Sequence, residues 1–405
     1  MLDSYEDKQS DRRIIFALCV ILFVPSLNNF VNCILQIGLN VYWDFLTPVS
    51  YVFMAFCSVF FLYRYASRRG SLLIFSAVIL VGSIISYFIY PEIRSALYDS
   101  PVDLVYSPLN KLFYFCIPAM IGVTNLKNYD RLLESLKAWS RATVAVGVFT
   151  YLFVWMLKGG TLQYMVYSYN MLISVCACFI RGEHRRKTDL VLAILGSFCI
   201  VACGARGAVI SLLIFLAIRG LSALIKNRSK KNVIIAVVCL LVLVFFVLFY
   251  ESIILNIAAI FARNNVDSRF INSLVDGTLV ESHGRETIVN SVIKAIKANP
   301  LGYGLFGDRY AAAEYGAGMA IYTHNILIEA ICQFGVLFGP MLLAFFAWRL
   351  LKTMINCNGT SVSEIVLILL PYGLFQLFVT SSYLECVPFF ALLGILVFKK
   401  LERQE

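Results

Sequence analysis

The chain has 405 residues, 60% of them hydrophobic and only 14% charged, with a mean hydropathy of +0.80. No soluble domain has that balance, so composition alone points to a polytopic membrane protein. The net charge is +10, but the basic residues are dealt out loop by loop and do not gather on one face with aromatics, which argues against nucleic acid as a partner.

The hydropathy pattern predicts about 12 transmembrane helices, near 14–37, 45–63, 71–90, 109–124, 142–157, 161–180, 189–203, 207–225, 233–255, 322–347, 362–380 and 383–398. The first apolar run starts after Arg13 and lacks a clear small-residue cleavage site, so it reads as a span and not as a cleaved signal. Val233–Tyr250 is 18 apolar residues without a charge, close to what a core of about 30 Å requires. Helix is the only sensible conformation there, because lipid offers no partner for open backbone groups. The expected fold class is therefore all-α integral membrane. One membrane domain, 1–405, carries one large external loop, 257–321, between spans nine and ten.

Basic residues orient the chain. Lys8, Arg12 and Arg13 precede the first span, and alternate loops carry most of the other Lys and Arg, ending at Lys399, Lys400 and Arg403. The opposite short loops hold only Arg94, Lys111, Lys158 and Arg206. Both termini are thus expected in the cytoplasm and the long loop outside, away from cytosolic ATP and sugar nucleotides. Tyr42, Trp43, Tyr87 and Tyr90 sit where interfacial aromatic belts belong. Most of the twelve Cys lie inside apolar spans, with neither a Cys-x-x-Cys pair nor a Cys/His cluster. They read as small hydrophobes, and no metal or cofactor is expected.

The long polar interval, roughly Asn256 to Thr323, is too long to be a mere connector. Its first part, Asn264–Gly284, is polar and turn-rich. In Arg285–Asn299 the apolar positions Ile288, Val289, Val292, Ile293 and Ile296 recur on one helical face, and Asn299-Pro300 stops the pattern. Such a helix lies on the membrane surface, caps a cavity between helices, or simply packs without a catalytic part. Gly302-Tyr-Gly304-Leu-Phe-Gly307 spells Gly-x-Gly-x-x-Gly, but it follows a helix and has no βαβ context, so a dinucleotide reading is rejected. Its glycines suit a tight turn or a close approach to another chain or a ligand.

Three histidines exist. His184 sits in a basic loop beside Arg185 and Arg186 and reads as solvated. His283 lies in the external loop without companions that argue for a role. His324 opens the tenth span at the outer interface, followed by Asn325. An imidazole there either takes a proton from a hydroxyl or bonds a neighbouring carbonyl. Arg206, in Gly204-Ala-Arg206-Gly207-Ala208, occupies a very short outward turn. It either pairs with an anion such as carboxylate or phosphate, or snorkels to lipid head groups. Arg285 completes an external set of two arginines and one histidine, for which a lipid diphosphate is the obvious anion. Arg263, Arg269 and Arg309 are reserve contacts. Glu329, five residues into the tenth span, is a functional candidate by its depth, or the partner of an arginine. No two acids are spaced as a carboxylate dyad.

Three segments resemble the O-antigen ligase/polymerase superfamily, the Wzy and WaaL type of membrane glycosyltransferase. They are the Gly204–Ala208 turn opening a span, Arg285 heading a helix that ends in Pro300-Leu-Gly-Tyr-Gly304, and His324-Asn325-Ile-Leu-Ile-Glu329 with Gln333-Phe-Gly335-Val-Leu-Phe-Gly339. The resemblance covers roughly 200–340, and it implies a GT-C-like helical fold. It implies donor and acceptor glycans on undecaprenyl diphosphate at the outer face of the bacterial inner membrane, with membrane lipid and a chain-length regulator as further partners. It implies inversion without metal. Carried onto this chain, Arg206 and Arg285 would hold the diphosphate, His324 would be the base or a further diphosphate contact, and Asn325 and Glu329 would line the site. Arg263 is the alternative to Arg285.

Two branches of the superfamily differ in acceptor. The ligase pattern wants Gly, Thr or Tyr where this chain has Phe338, and the wording around Glu329 and Gln333 is more like polymerases, so a repeat-unit polymerase is expected. A lipid-linked oligosaccharide flippase would instead show a two-halves repeat with matching broken helices, which the sequence lacks.

Overall fold

The computed structural model describes residues 2–41, 45–63, 70–90, 107–158, 165–180, 187–226, 250–263, 271–272, 275–276, 285–318, 321–357 and 359–399. Every regular element among them is helical. In chain order the helices are α1 (Leu2–Asn32), α2 (Leu46–Phe61), α3 (Gly70–Ile89), α4 (Pro108–Lys111), α5 (Ile117–Asn125), α6 (Tyr129–Lys158), α7 (Met165–Phe179), α8 (Lys187–Cys203), α9 (Arg206–Lys226), α10 (Tyr250–Arg263), α11 (Arg285–Ala298), α12 (Gly307–Ala312), α13 (Ile326–Asn356), α14 (Ser361–Leu370) and α15 (Val387–Leu393).

Five described stretches are long and apolar enough to cross a bilayer: Gln9–Ile37, Gly70–Ile89, Tyr129–Leu157, Ile326–Asn356 and Ser361–Phe378. Leu46–Phe61, Val166–Phe179 and Val387–Phe398 are apolar but shorter. The chain is an α-helical multi-pass membrane protein. Most of the expected ninth span, 233–249, lies outside the described residues. α6 begins well before the expected 142: Asn128 Oδ1 accepts from Arg131 N at 3.0 Å and caps a polar first turn that hydropathy does not register.

The chain divides into two compact units. The first holds Met1–Pro25, Asp44–Ala138 and Ser282–Glu405. Inside it α5 is buried almost throughout. It lies so close to Gly394 that a Cβ there would sit 2.7 Å from Met120 O, and Thr124 Oγ1 donates to Gly394 O at 3.2 Å. Small residues let membrane helices approach this closely, where van der Waals contact and side-chain hydrogen bonds replace the hydrophobic effect.

In the same unit α11 and α12 pack on the start of α13. Val292, Ala295, Tyr303, Ala311, Ala312 and Cys332 form the buried centre, flanked by Ile288, Ile296 and Ile328. Tyr90, expected in an interfacial belt, stacks on Tyr310 with ring centroids 4.5 Å apart. The expected face of α11 is the packed one, with Val292 buried and Ile288 and Ile296 against it; Ser291 and Ala295 are buried beside them, and Ile293 at the edge is exposed. Close packing selects the small residues, and hydropathy gives Ser and Ala little weight.

α13 is not continuous. Gly335 has φ 82° and ψ 169°, which breaks the helix inside an apolar run. The Pro300–Gly304 loop fills the break. Tyr303 N donates to Cys332 O and Gly304 N to Gln333 O, both at 2.9 Å, and Val336 N donates to Pro300 O at 3.0 Å. Loop backbone thus supplies the partners that the interrupted helix lacks, which is how non-helical backbone is tolerated at such depth. The approach leaves no room for side chains: a Cβ on Gly302 would lie 2.6 Å from Gln333 O, and one on Gly335 would lie 2.7 Å from Leu301 O and Pro300 O. The glycines of the rejected dinucleotide string therefore serve close approach, and the approach is to the chain's own helix.

The second unit holds Ser26–Trp43 and Trp139–Glu281. Gly147 and Gly196 let Met171 of α7 lie against α6 and α8, and the fully buried Tyr167 donates to Gly147 O and packs on Phe30 at 4.9 Å. Arg141 Nε donates to Asp189 Oδ1 at 2.7 Å. α9 opens at Arg206 after a turn in which Gly204 has φ 75°.

Candidate functional site

The first unit brings Arg285 and His324 to one turn. Arg285 is the first residue of α11, and its Nη1 donates to Val379 O at 2.7 Å. His324 lies just before α13 in a left-handed conformation, φ 57°, which costs a non-glycine residue about 1–2 kcal/mol. Asn325 follows as N-cap, its Oδ1 accepting from Leu327 N at 2.9 Å and Ile328 N at 3.4 Å. The cap fixes where the helix starts, and so where the imidazole stands. The His324 ring packs on Tyr322, centroids 4.3 Å apart, and Nδ1 is 3.5 Å from Thr380 Oγ1. Val379 and Thr380 are neighbours in sequence, so one turn contacts both side chains.

Burial, the larger cause, and the nearby Arg285 cation together lower the His324 pKa from 6.5 to about 4. The imidazole is therefore neutral at physiological pH, with a lone pair available.

Behind this turn lies a buried polar network. Arg309 is 3% exposed, donates to Glu385 and has Asp308 at 3.8 Å. Its guanidinium also covers the Phe306 ring at 4.8 Å. Lys111 Nζ pairs with the other Glu385 oxygen at 3.1 Å. Gln333 Nε2 donates to Asp308 Oδ1 at 2.6 Å and stands 3.5 Å from Glu329 Oε1. Tyr383 donates to Gln333 Oε1 and Ser382 donates to Glu329 Oε1. Burial pushes the Asp308 carboxyl above its ordinary value, against the pull of Arg309.

The candidates from sequence thus separate. Arg285 and His324 share the 379–380 turn. Arg309 and Glu329 are interior, and Asn325 spends its side-chain oxygen on the helix cap. Arg206, half-buried, and Arg263, exposed, belong to the second unit. Arg269 and His283 lie outside the described residues. Sequence reasoning missed Thr380, Ser382, Tyr383, Gln333 and Lys111 as parts of one constellation. It also found no paired acids, yet one amide faces both Asp308 and Glu329. Only the polar cluster Thr380-Ser381-Ser382 between two apolar runs hinted at the turn.

Residues 191–343 match the family model described as O-Antigen ligase. Over that stretch the chain is similar to the O-antigen ligase/polymerase superfamily, and the match supports that resemblance. The matched stretch includes Arg206, Arg285, His324, Glu329 and Gln333, and ends before the Val379–Glu385 turn. No curated protein matches the chain. Nothing in the match supports a flippase.

Proposed function

We propose that the protein is a membrane glycosyltransferase that joins lipid-diphosphate-linked oligosaccharide repeat units into a polysaccharide at the outer face of the bacterial inner membrane. The observation that carries this reading is the meeting of Arg285 and His324 at the Val379–Thr380 turn. In the reaction, the acceptor hydroxyl gives its proton to the neutral imidazole as its oxygen bonds the donor's anomeric carbon. The bond from that carbon to the phosphate oxygen breaks, and the lipid diphosphate leaves with the electron pair. Attack from the face opposite the leaving group inverts the anomeric centre. Arg285 keeps N–H groups beyond the one spent on Val379 O, and these suit the diphosphate oxygens. Arg206 joins the diphosphate contact on its motif alone.

The low His324 pKa fits this sequence. An imidazole held neutral by burial and by Arg285 regains basicity when the diphosphate offsets the arginine's charge. Undecaprenyl as the lipid, and a chain-length regulator as a partner, follow the family resemblance. A ligase that passes the finished glycan to lipid A–core is the second reading, favoured by the description of the matching family. Phe338 and the Glu329 and Gln333 wording favour the polymerase.

The test is the surface-glycan ladder of a strain lacking the protein, complemented with wild type or variants. A single attached repeat unit identifies a polymerase. Long chains accumulating on the carrier lipid identify a ligase. Repeat units trapped at the cytoplasmic leaflet would overturn both.

A further inference from the structure

The Val379–Glu385 turn touches both halves of the molecule's polar chemistry. Its first two residues meet Arg285 and His324. Ser382, Tyr383 and Glu385 reach back to Glu329, Gln333 and Arg309. Between them Ser381 has φ 67°, a left-handed conformation that persists only when its surroundings impose it. The imposing contacts are the hydroxyls of Ser382 and Tyr383, tied to two side chains of the first half of α13, the helix whose start carries His324.

Nδ1 of His324 faces Thr380 Oγ1, so Nε2 is the ring nitrogen left for an acceptor hydroxyl. A base needs its lone pair there, so in the neutral ring the hydrogen sits on Nδ1 and Thr380 Oγ1 accepts it. At 3.5 Å the contact is long for a hydrogen bond, and catalytic contacts commonly tighten when substrate binds. The partner of one ring nitrogen sets the state of the other, so Nε2 is left with its lone pair outward.

We propose that Thr380 is a positioning residue that fixes His324 in the Nδ1–H tautomer with Nε2 as the base, and that Glu329, acting through Ser382, braces the turn that carries Thr380. This rests on the reading of His324 as the base. It gives Glu329 a structural anchor's task and not a proton-transfer one.

The experiment uses the full chain in lipid nanodiscs with nitrogen-15-labelled histidine, the His324 signals being assigned by their loss in His324→Ala. The expected spectrum of wild type and of Thr380→Ser shows Nδ1 protonated and Nε2 bare. In Thr380→Val the tautomers redistribute, and turnover falls by about tenfold or more with KM little changed, as for loss of an orienting partner. Wild type with the proton on Nε2, or Thr380→Val with wild-type tautomer and turnover, would overturn the proposal. If His324→Ala itself turns over like wild type, it is the base reading that fails; if it is inactive while Thr380→Val is unchanged, only the positioning role fails. For the brace, Glu329→Gln keeps an acceptor for Ser382 and is expected to behave like wild type, whereas Ser382→Ala, which removes the same bond without emptying the network, is expected to shift the tautomers. A Glu329→Gln protein that folds but is inactive, or a Ser382→Ala protein with the wild-type spectrum, would overturn the brace.

Discussion

Gly335→Ala is the sharpest single perturbation of this architecture. At φ 82° and ψ 169° the residue occupies backbone space that is essentially glycine-only, worth about 1–3 kcal/mol against any other residue. The added Cβ would meet two backbone oxygens, Leu301 O and Pro300 O, at 2.7 Å. Backbone cannot rotate aside as a side chain can, so the Pro300–Gly304 loop must retreat by a large fraction of an ångström. Retreat weakens three hydrogen bonds of 2.9–3.0 Å, each worth about 0.5–1.5 kcal/mol net. Together the change should cost about 3–6 kcal/mol, a large share of a typical folding free energy. The assay is thermal unfolding in nanodiscs, followed with a thiol-reactive fluorogenic dye whose targets include Cys332, buried at the break. A drop of several degrees and loss of polymer are expected. Gly220→Ala is the matched control, because its Cβ would meet nothing within 4 Å and its φ is unremarkable; it should melt at or slightly above wild type. A wild-type melting point for Gly335→Ala would refute the loop-in-break packing.

Other perturbations probe the site and the network. Arg285→Gln removes the cation that helps depress the His324 pKa, so that pKa should rise from about 4 toward 6.5 without reaching it, burial being the larger cause; nitrogen-15 titration reads the shift, and no change would mean that Arg285 does not act on the ring. The sign for stability follows: His324 is depressed on folding, so its contribution is full above pH 6.5 and is lost as pH falls through about 4, which unfolding measured against pH, wild type against His324→Ala, should show. Glu385→Ala strands Arg309 and Lys111 in a buried setting and should destabilise by about 3–5 kcal/mol, seen as a lower melting point. Arg285→Lys keeps the charge but loses the fork, so turnover should fall at least about tenfold while the melting point stays near wild type.

Much of the site could be read from the chain because its motifs are local. Arg285 heads a helix whose stop, Asn299-Pro300, is written in the sequence, and His324 is marked by its place before an apolar run. The turn that joins them could not be read. Thr380 and Ser382 are more than fifty residues from His324 and Glu329 and look like the polar end of any span. The break at Gly335 was hidden for a related reason: a glycine in an apolar run reads as a packing residue, and only the docked loop shows that the helix stops there. The long apolar spans were legible from hydropathy, and so was the shorter Leu46–Phe61, which falls within the expected 45–63.

On the proposed function, Arg285 and His324 act together on a lipid-linked glycan. The most direct measurement is release of lipid diphosphate and growth of the glycan by purified protein in nanodiscs, supplied with a lipid-diphosphate-linked repeat unit. Wild type should release one lipid diphosphate per bond formed, while His324→Ala and Arg285→Ala fold normally and release none above background. Release at the wild-type rate by folded His324→Ala would show that the imidazole is not the base.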